Sequence, residues 1–299
     1  MRKLTVTAAL LLCLQNIFAQ QLHFTSQYLQ HNSMYNPAAA GIANGKMVGV
    51  SYRSMWSSFP GNPKTFMVYG DAELKKLKAG IGTYIYRDET GPTTRTGIQL
   101  AYSKHIISMG GTNKLGLGIE LRGLQFAVDK AKLADALGSD PVLAGSSNKT
   151  AIDAGAGVYF TNDRLSVGAA VSQLIQSKLT LNSNVPNATK RANLYRHMVF
   201  TANYKIPTGE NITLIPNAMA RVIANSPSEF DFGCKLDYQD KIWTSLTWRV
   251  HQFWSATVGV KLLKQVNLAY SYDYYEAPLN QFNAGYNASE LGLRFDFNK

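Results

Sequence analysis

Cysteine is nearly missing from this chain. Two occur in 299 residues, Cys13 and Cys234. With Cys13 inside an N-terminal leader, the mature chain keeps one thiol, which excludes an intramolecular disulfide and a cysteine metal cluster. The residue before Cys13 is Leu12, not Gly or Ala, which argues against a lipoprotein leader. Cys234 reads as a small apolar residue facing lipid or core. Long apolar runs are also absent. Beyond Leu4 to Leu14 no segment offers 18 uninterrupted apolar residues, so helical membrane spans are excluded. Acidic residues are few, 19 Asp and Glu against 30 Lys and Arg, for a formal charge of +11. The basic residues are scattered and the chain carries an export leader, so no nucleic-acid partner is expected. The five histidines, His23, His31, His105, His197 and His251, show no metal-ligand spacing, and no nucleophile elbow occurs. No catalytic residue, metal or cofactor is therefore predicted, and Asp88 and Glu89 beside Gly91-Pro92 read as turn formers.

What is present is alternation. Residues 1–19 form a signal peptide, with Arg2 and Lys3, a short apolar core and a cleavage site at Ile17-Phe18-Ala19. Residues 20–44 form a polar arm with Asn36-Pro37, a turn signal, and small residues up to Gly41. Too polar for lipid, the arm is expected in a barrel lumen or at its mouth. Residues 45–299 then alternate apolar and polar positions in fourteen stretches. They cover 45–54, 64–73, 78–87, 95–106, 114–125, 151–160, 164–172, 197–206, 212–222, 230–238, 242–248, 254–262, 266–274 and 288–297. The last is typical. Leu291, Leu293, Phe295 and Phe297 share one face, and Glu290, Gly292, Arg294 and Asp296 share the other. An even number of strands, each about 9–11 residues long, fits a transmembrane β-barrel with lipid outside and a polar lumen.

Loop lengths support the same fold. The connections at 55–63, 88–94, 126–150, 173–196 and 275–287 are long, and most of those between are short, as outer loops and periplasmic turns are. The expected fold is thus an all-β, fourteen-stranded antiparallel transmembrane barrel. Its lumen charges are Glu120, Arg122, Asp231, Lys235, Asp237, Asp273, Glu290, Arg294 and Asp296. They line an open channel, or they pair with one another and with the arm. Gly116, Gly118, Gly155, Gly157, Gly168 and Gly233 on the inward face leave room for an inserted segment, which favours a plugged lumen. Glu290, Arg294 and Asp296 of the closing strand are expected to meet Asn36-Pro37. Trp56, Phe59 and Pro60 in the first outer loop read either as a partner contact or as a loop folded onto the barrel rim. Trp248 and Tyr270 to Tyr274 read as an interfacial girdle.

Several short motifs follow one another along the chain. They are Asn36-Pro37-Ala38 with Gly41, Tyr52-Arg53 with Trp56, Pro60-Gly61, Pro63-Lys64-Thr65 and Asp88 to Pro92. Asp140-Pro141, Asn162-Asp163-Arg164, Arg196-His197, Asp240 to Trp243, Ala269 to Tyr274 and Ser289-Glu290-Leu291 continue the series. In this order they resemble one family, the PorP/SprF outer-membrane proteins of type IX secretion. The chain departs from the family pattern at Ser57, where proline is common, and at Ser289, where histidine is common. The resemblance implies an integral outer-membrane protein serving secretion, and in some members gliding. Its implied partners are outer-membrane lipid, periplasmic type IX secretion components and a secreted protein with a C-terminal secretion signal. Tyr28, Asn36, Pro37, Gly41, Trp56, Phe59 and Pro60 are the residues expected to bind a partner or form a plug. A passive porin-like channel for small solutes is the alternative.

Overall fold

Apolar residues at every second position make each strand two-faced, and two-faced strands are stable in lipid only when their backbone groups all find partners. The computed structural model describes residues 23–42, 45–58, 60–107, 112–129, 132, 148–179, 192–224, 226–263, 265–277, 280 and 287–297. In chain order the strands are β1 (Met47–Met55), β2 (Lys64–Leu74), β3 (Ala79–Thr90), β4 (Thr93–Ile107), β5 (Lys114–Val128), β6 (Lys149–Thr161) and β7 (Leu165–Ser172). Then come β8 (Lys178–Leu179), β9 (Ala192–Asn193), β10 (His197–Tyr204), β11 (Ile206–Thr208), β12 (Ile212–Ile223), β13 (Glu229–Tyr238) and β14 (Ile242–Arg249). β15 (Phe253–Leu262), β16 (Val266–Tyr275) and β17 (Ala288–Asp296) complete the set.

Fourteen of these close a ring. Neighbours in sequence pair antiparallel, β10 bridges β7 and β12, and β1 pairs with both β2 and β17. Closure removes the sheet edges that would otherwise leave bare N–H and C=O groups in hydrocarbon. β8 and β9 form a separate two-stranded sheet, and β11 lies outside the ring, paired only with β12. Among the described residues no helix is long and apolar enough to cross a membrane.

The ring is inside-out relative to a soluble protein. Leu291, Leu293 and Phe297 are about half exposed on the outer face, as are Ile119, Val258 and Leu246. Tyr270, Tyr272 and Tyr274 also face outward, and Trp248 stacks on Trp254 at 5.6 Å. Both indole N–H groups of that pair donate to Glu276 Oε1. Cys234 faces outward. Inward positions hold buried polar residues, among them Glu120, Arg122, Asp231, Asp273 and Glu290.

The strands match the fourteen alternating stretches, with two differences. The connection at 88–94 is not a long loop. β3 and β4 run together up to Thr90 and Thr93, and Gly91-Pro92 is the whole turn, because Gly91 adopts φ +55°. The eighth stretch, read as 197–206, is broken. β10 stops at Tyr204, and its ladder with β12 ends at Asn203–Asn217, beside Pro216, which has no N–H to give. The chain resumes as β11 lower down. The leader, Phe59, Lys264 and Asp140-Pro141 lie outside the described residues.

Candidate functional site

Residues 23–42 of the arm lie in the lumen and contact its wall toward both ends. It consists of three single turns of 3-10 helix, η1 (Tyr28–Gln30), η2 (Asn32–Met34) and η3 (Pro37–Ala39). Short pieces suit a segment whose backbone must hydrogen-bond to the surrounding wall. η3 is specified locally. Pro37 takes the first helical position with its φ preset, and the Asn36 side chain accepts from Ala38 N at 3.0 Å.

At the short-turn end the arm sits on glycine. A methyl group on Gly116 or Gly118 would overlap the Ala38 backbone, and one on Gly80 would overlap Ala40 O. Gly41 lies at φ +66°, so close to Ala72 O that a side chain would strike it. Gly157 and Gly168 make the pocket for the Asn36 amide, which donates to Val158 O at 2.9 Å. Ser103 Oγ donates to Ala38 O at 2.8 Å, and His105 Nε2 lies 3.0 Å from Ala40 O. Gly155 and Gly233 serve wall side chains instead, Glu120 and Thr247 respectively.

The middle of the arm meets two buried networks. His31, Ser33 and Asp71 form a chain, with Ser33 Oγ 2.9 Å from His31 Nε2 and donating to Asp71 Oδ1 at 2.6 Å. The serine lies between the other two and all three are sealed from water, so this is an anchor, not a nucleophile with its base. Burial pushes the His31 imidazole down to about 3, with Arg294 adding to the effect, so His31 is neutral. In the second network, Arg122 pairs with Glu120, donates to Tyr84 Oη, and donates to Met34 O at 2.9 Å. Glu120 also accepts from Gln99 and Ser172.

At the long-loop end the arm is held by charge. Thr25 Oγ1 and Ser26 N both donate to Glu290, and Ser26 Oγ donates to Asp273. Arg53 bridges the same two carboxylates. The Phe24 ring is ringed by three guanidinium groups, Arg249 at 3.9 Å, Arg53 at 4.8 Å and Arg221 at 5.3 Å. Asp231 binds Arg249 and Arg221, and Glu229 binds Arg221. Each cation thus has a carboxylate behind it while its face meets an aromatic ring. Tyr28 Oη donates to Asn217 at 2.5 Å.

Of the residues expected to form a plug or partner site, Tyr28, Asn36, Pro37 and Gly41 are buried against the inner wall. Trp56 folds inward and packs with Met55 and Phe24 against Phe253, Tyr275 and Ala288, while Pro60 is exposed. The closing strand does not meet Asn36-Pro37 as expected. Glu290 holds Thr25 and Ser26, Arg294 donates to Gln30 at 2.9 Å, and Asp296 holds Asn267 and Arg294. The arm crosses the lumen, so Asn36 ends up near β6 and β7, away from β17. Lys235 and Asp237 pair at 3.1 Å beside a polar cavity of about 560 Å³ at the short-turn mouth. The arm residues Gln30 and Asn32 border this cavity, as do Lys114, Asp163, Lys205 and Asp240. Arg221 and Arg249 were not singled out by the sequence, nor were His31 and Asp71 as a pair. Inward parity was the available signal for Asp71, Arg221 and Arg249, whereas His31 lies in the arm, where no parity applies. Among the described residues no group of three or more His, Cys, Asp or Glu side chains could hold a metal ion.

Known structures share the architecture. Omp33 of Acinetobacter baumannii, an outer membrane protein, matches with TM-score 0.50 and 8% identity over 86% of this chain and 100% of its own. A Pseudomonas aeruginosa FadL homologue matches with TM-score 0.52 and 12% identity over 88% and 93%. The toluene transporter TbuX of Ralstonia pickettii matches with TM-score 0.50 and 10% identity over 89% and 93%. At such identities the likeness is one of fold. No curated protein matches the chain. The family described as type IX secretion system membrane protein PorP/SprF matches residues 17–295, nearly all of the sequence, and its members are secretion-system membrane proteins. With an even-stranded closed barrel, an apolar outer face and that match, the chain belongs to the PorP/SprF family of type IX secretion system membrane proteins.

Proposed function

We propose that this protein serves type IX secretion as a sealed scaffold in the outer membrane, reaching it after removal of residues 1–19. Long loops face outward and short turns face the periplasm in such barrels, so the polar cavity at Lys235 and Asp237 faces the periplasm. That mouth docks periplasmic secretion components, and the opposite mouth, where Trp56 and Pro60 lie, holds a secreted protein with a C-terminal secretion signal at the cell surface. The observation that carries the reading is the arm. Residues 23–42 occupy the lumen and hydrogen-bond its wall at both ends, as a scaffold needs and a passive pore does not.

Two measurements test it. Crosslinking in intact cells should recover secretion components on the periplasmic side and a secreted protein on the outer side. Recovery of neither would remove the docking and anchoring roles. In liposomes the full-length protein should pass small solutes poorly, and deletion of residues 23–42 should raise the flux. High flux that the deletion leaves unchanged would favour the porin-like channel.

A further inference from the structure

The short-turn rim carries an unbalanced charge. From the start of β1 to the start of β5 it presents Lys46, Lys75, Lys76, Lys78, Lys104 and Lys114 against one carboxylate, Glu73. Glu73 lies 3.8 Å from Lys114. The other five have no carboxylate partner among the described residues. Antiparallel register gathers them. Lys104 stands opposite Ala79, next to Lys78, and Gly45 O accepts from Glu73 N, which places Lys46 beside the end of β2. Lys104 Nζ donates to Leu77 O at 2.6 Å, so its ammonium is fixed over the Lys75–Leu77 turn with donors to spare.

Position on the barrel identifies the occupant. Lys104 lies on the outward face of β4 between Tyr102 and Ile106, which are 42% and 50% exposed. Lys46 shares the outward face of β1 with Val48, and Leu77, at the turn tip among the lysines, is 60% exposed. A soluble ligand would leave Leu77 and Ile106 in water. A lipid covers them with its chains and brings its headgroup to the ammonium groups, as lysines at a hydrocarbon edge require. We propose that this rim is a binding site for an anionic glycerophospholipid of the periplasmic leaflet, its phosphate held by Lys75, Lys76, Lys78 and Lys104 with Lys46 at the flank. Such a site fixes the depth and rotation of the barrel in the leaflet from which periplasmic partners approach.

The test uses full-length protein in mixed micelles with phosphatidylglycerol or phosphatidylcholine, and native mass spectrometry to count retained lipid. Wild type should retain phosphatidylglycerol preferentially. The variant K75Q/K76Q/K78Q/K104Q should lose at least ~10-fold of that retention, since each lysine near an anionic surface contributes about 1 kcal/mol. Its heat-modifiable gel mobility should be unchanged, because all four side chains lie outside the lumen. If the quadruple variant does not fold, K76Q/K104Q serves, with a smaller loss in the same direction. Equal retention by wild type and variant, or no preference for phosphatidylglycerol, overturns the proposal. So does displacement by free glycerophosphate at matched concentration, which would mark a soluble phosphate ligand. Binding of polyglutamate in place of lipid, lost in the variant, overturns it too, in favour of an acidic protein surface.

Discussion

Thr25, Ser26 and Gln27 reach the wall through side-chain hydrogen bonds to carboxylates and carbonyls of β16 and β17. Residues 37–41 reach it through bare backbone laid on the glycines of β3 and β5. The first attachment depends on charge and tolerates small shifts of position. The second depends on shape and tolerates none. An arm held in both ways cannot be released by a single weak perturbation, and each end makes its own prediction.

Breaking the charged end should have the largest effect. Arg53→Ala leaves Asp273 and Glu290, both almost wholly buried, without their cation, and losing one partner of a buried pair costs about 3–5 kcal/mol. Limited proteolysis should then cut within residues 23–30, and the barrel should lose its heat-modifiable mobility at a lower temperature. Unchanged protection would show that Thr25 and Ser26 do not depend on the ion pairs. At the other end, Gly118→Val drives a side chain into the Ala38 backbone, and overpacking of this kind costs about 1–3 kcal/mol. Residues 36–42 should become protease-sensitive while residues 23–30 stay protected. Leu117→Val, on the outward face, is the matched control. A smaller loss, about 1 kcal/mol, is expected of Asn36→Ala, which removes the cap on Ala38 N and the bond to Val158 O. Joint release of both ends by any one of these variants would mean that the arm is a single cooperative unit.

The wall was more legible than its contents. Strand positions follow from alternation, which depends only on near neighbours, so Leu291 to Phe297 and Phe230 to Tyr238 read correctly. The exceptions were local too. A glycine at positive φ closed the Asp88 to Thr94 connection, and Pro216 cut a ladder. The interior depended on pairs far apart in sequence. Arg53 meets Glu290 across 237 positions, and Ser33 meets Asp71 across 38. Parity puts Arg53, Asp71 and Glu290 on the inner face, but nothing in one sequence says which inward charge lies opposite which. Inward glycines at 116, 118, 157 and 168 signalled an inserted segment. They did not say that Asn36 would lie there rather than beside the closing strand.

The junction between the two ends contains a histidine whose protonation should loosen the arm. His31 is buried, stacks on Tyr69 at 4.5 Å, touches Ser33, and faces Asp71 at 3.8 Å. Burial holds its pKa near 3, against about 6.5 for the same residue on a released arm. The released arm therefore binds more protons between about pH 6.5 and pH 3, and acid favours release. The penalty is absent above that value, grows as pH falls, and levels off once the seated imidazole itself protonates near 3. Between pH 7 and pH 5.5 it changes by ~1.3 kcal/mol, roughly an eight-fold rise in the released fraction. Arg294 and His23 both act against a positive charge there, and the difference between wild type and His31→Asn isolates the His31 imidazole. Proteolysis of residues 23–42 should accelerate on acidification in wild type and stay flatter in His31→Asn. Equal acceleration in both would place the acid-sensitive group elsewhere, at His23, the other arm imidazole that burial pushes down to about 3.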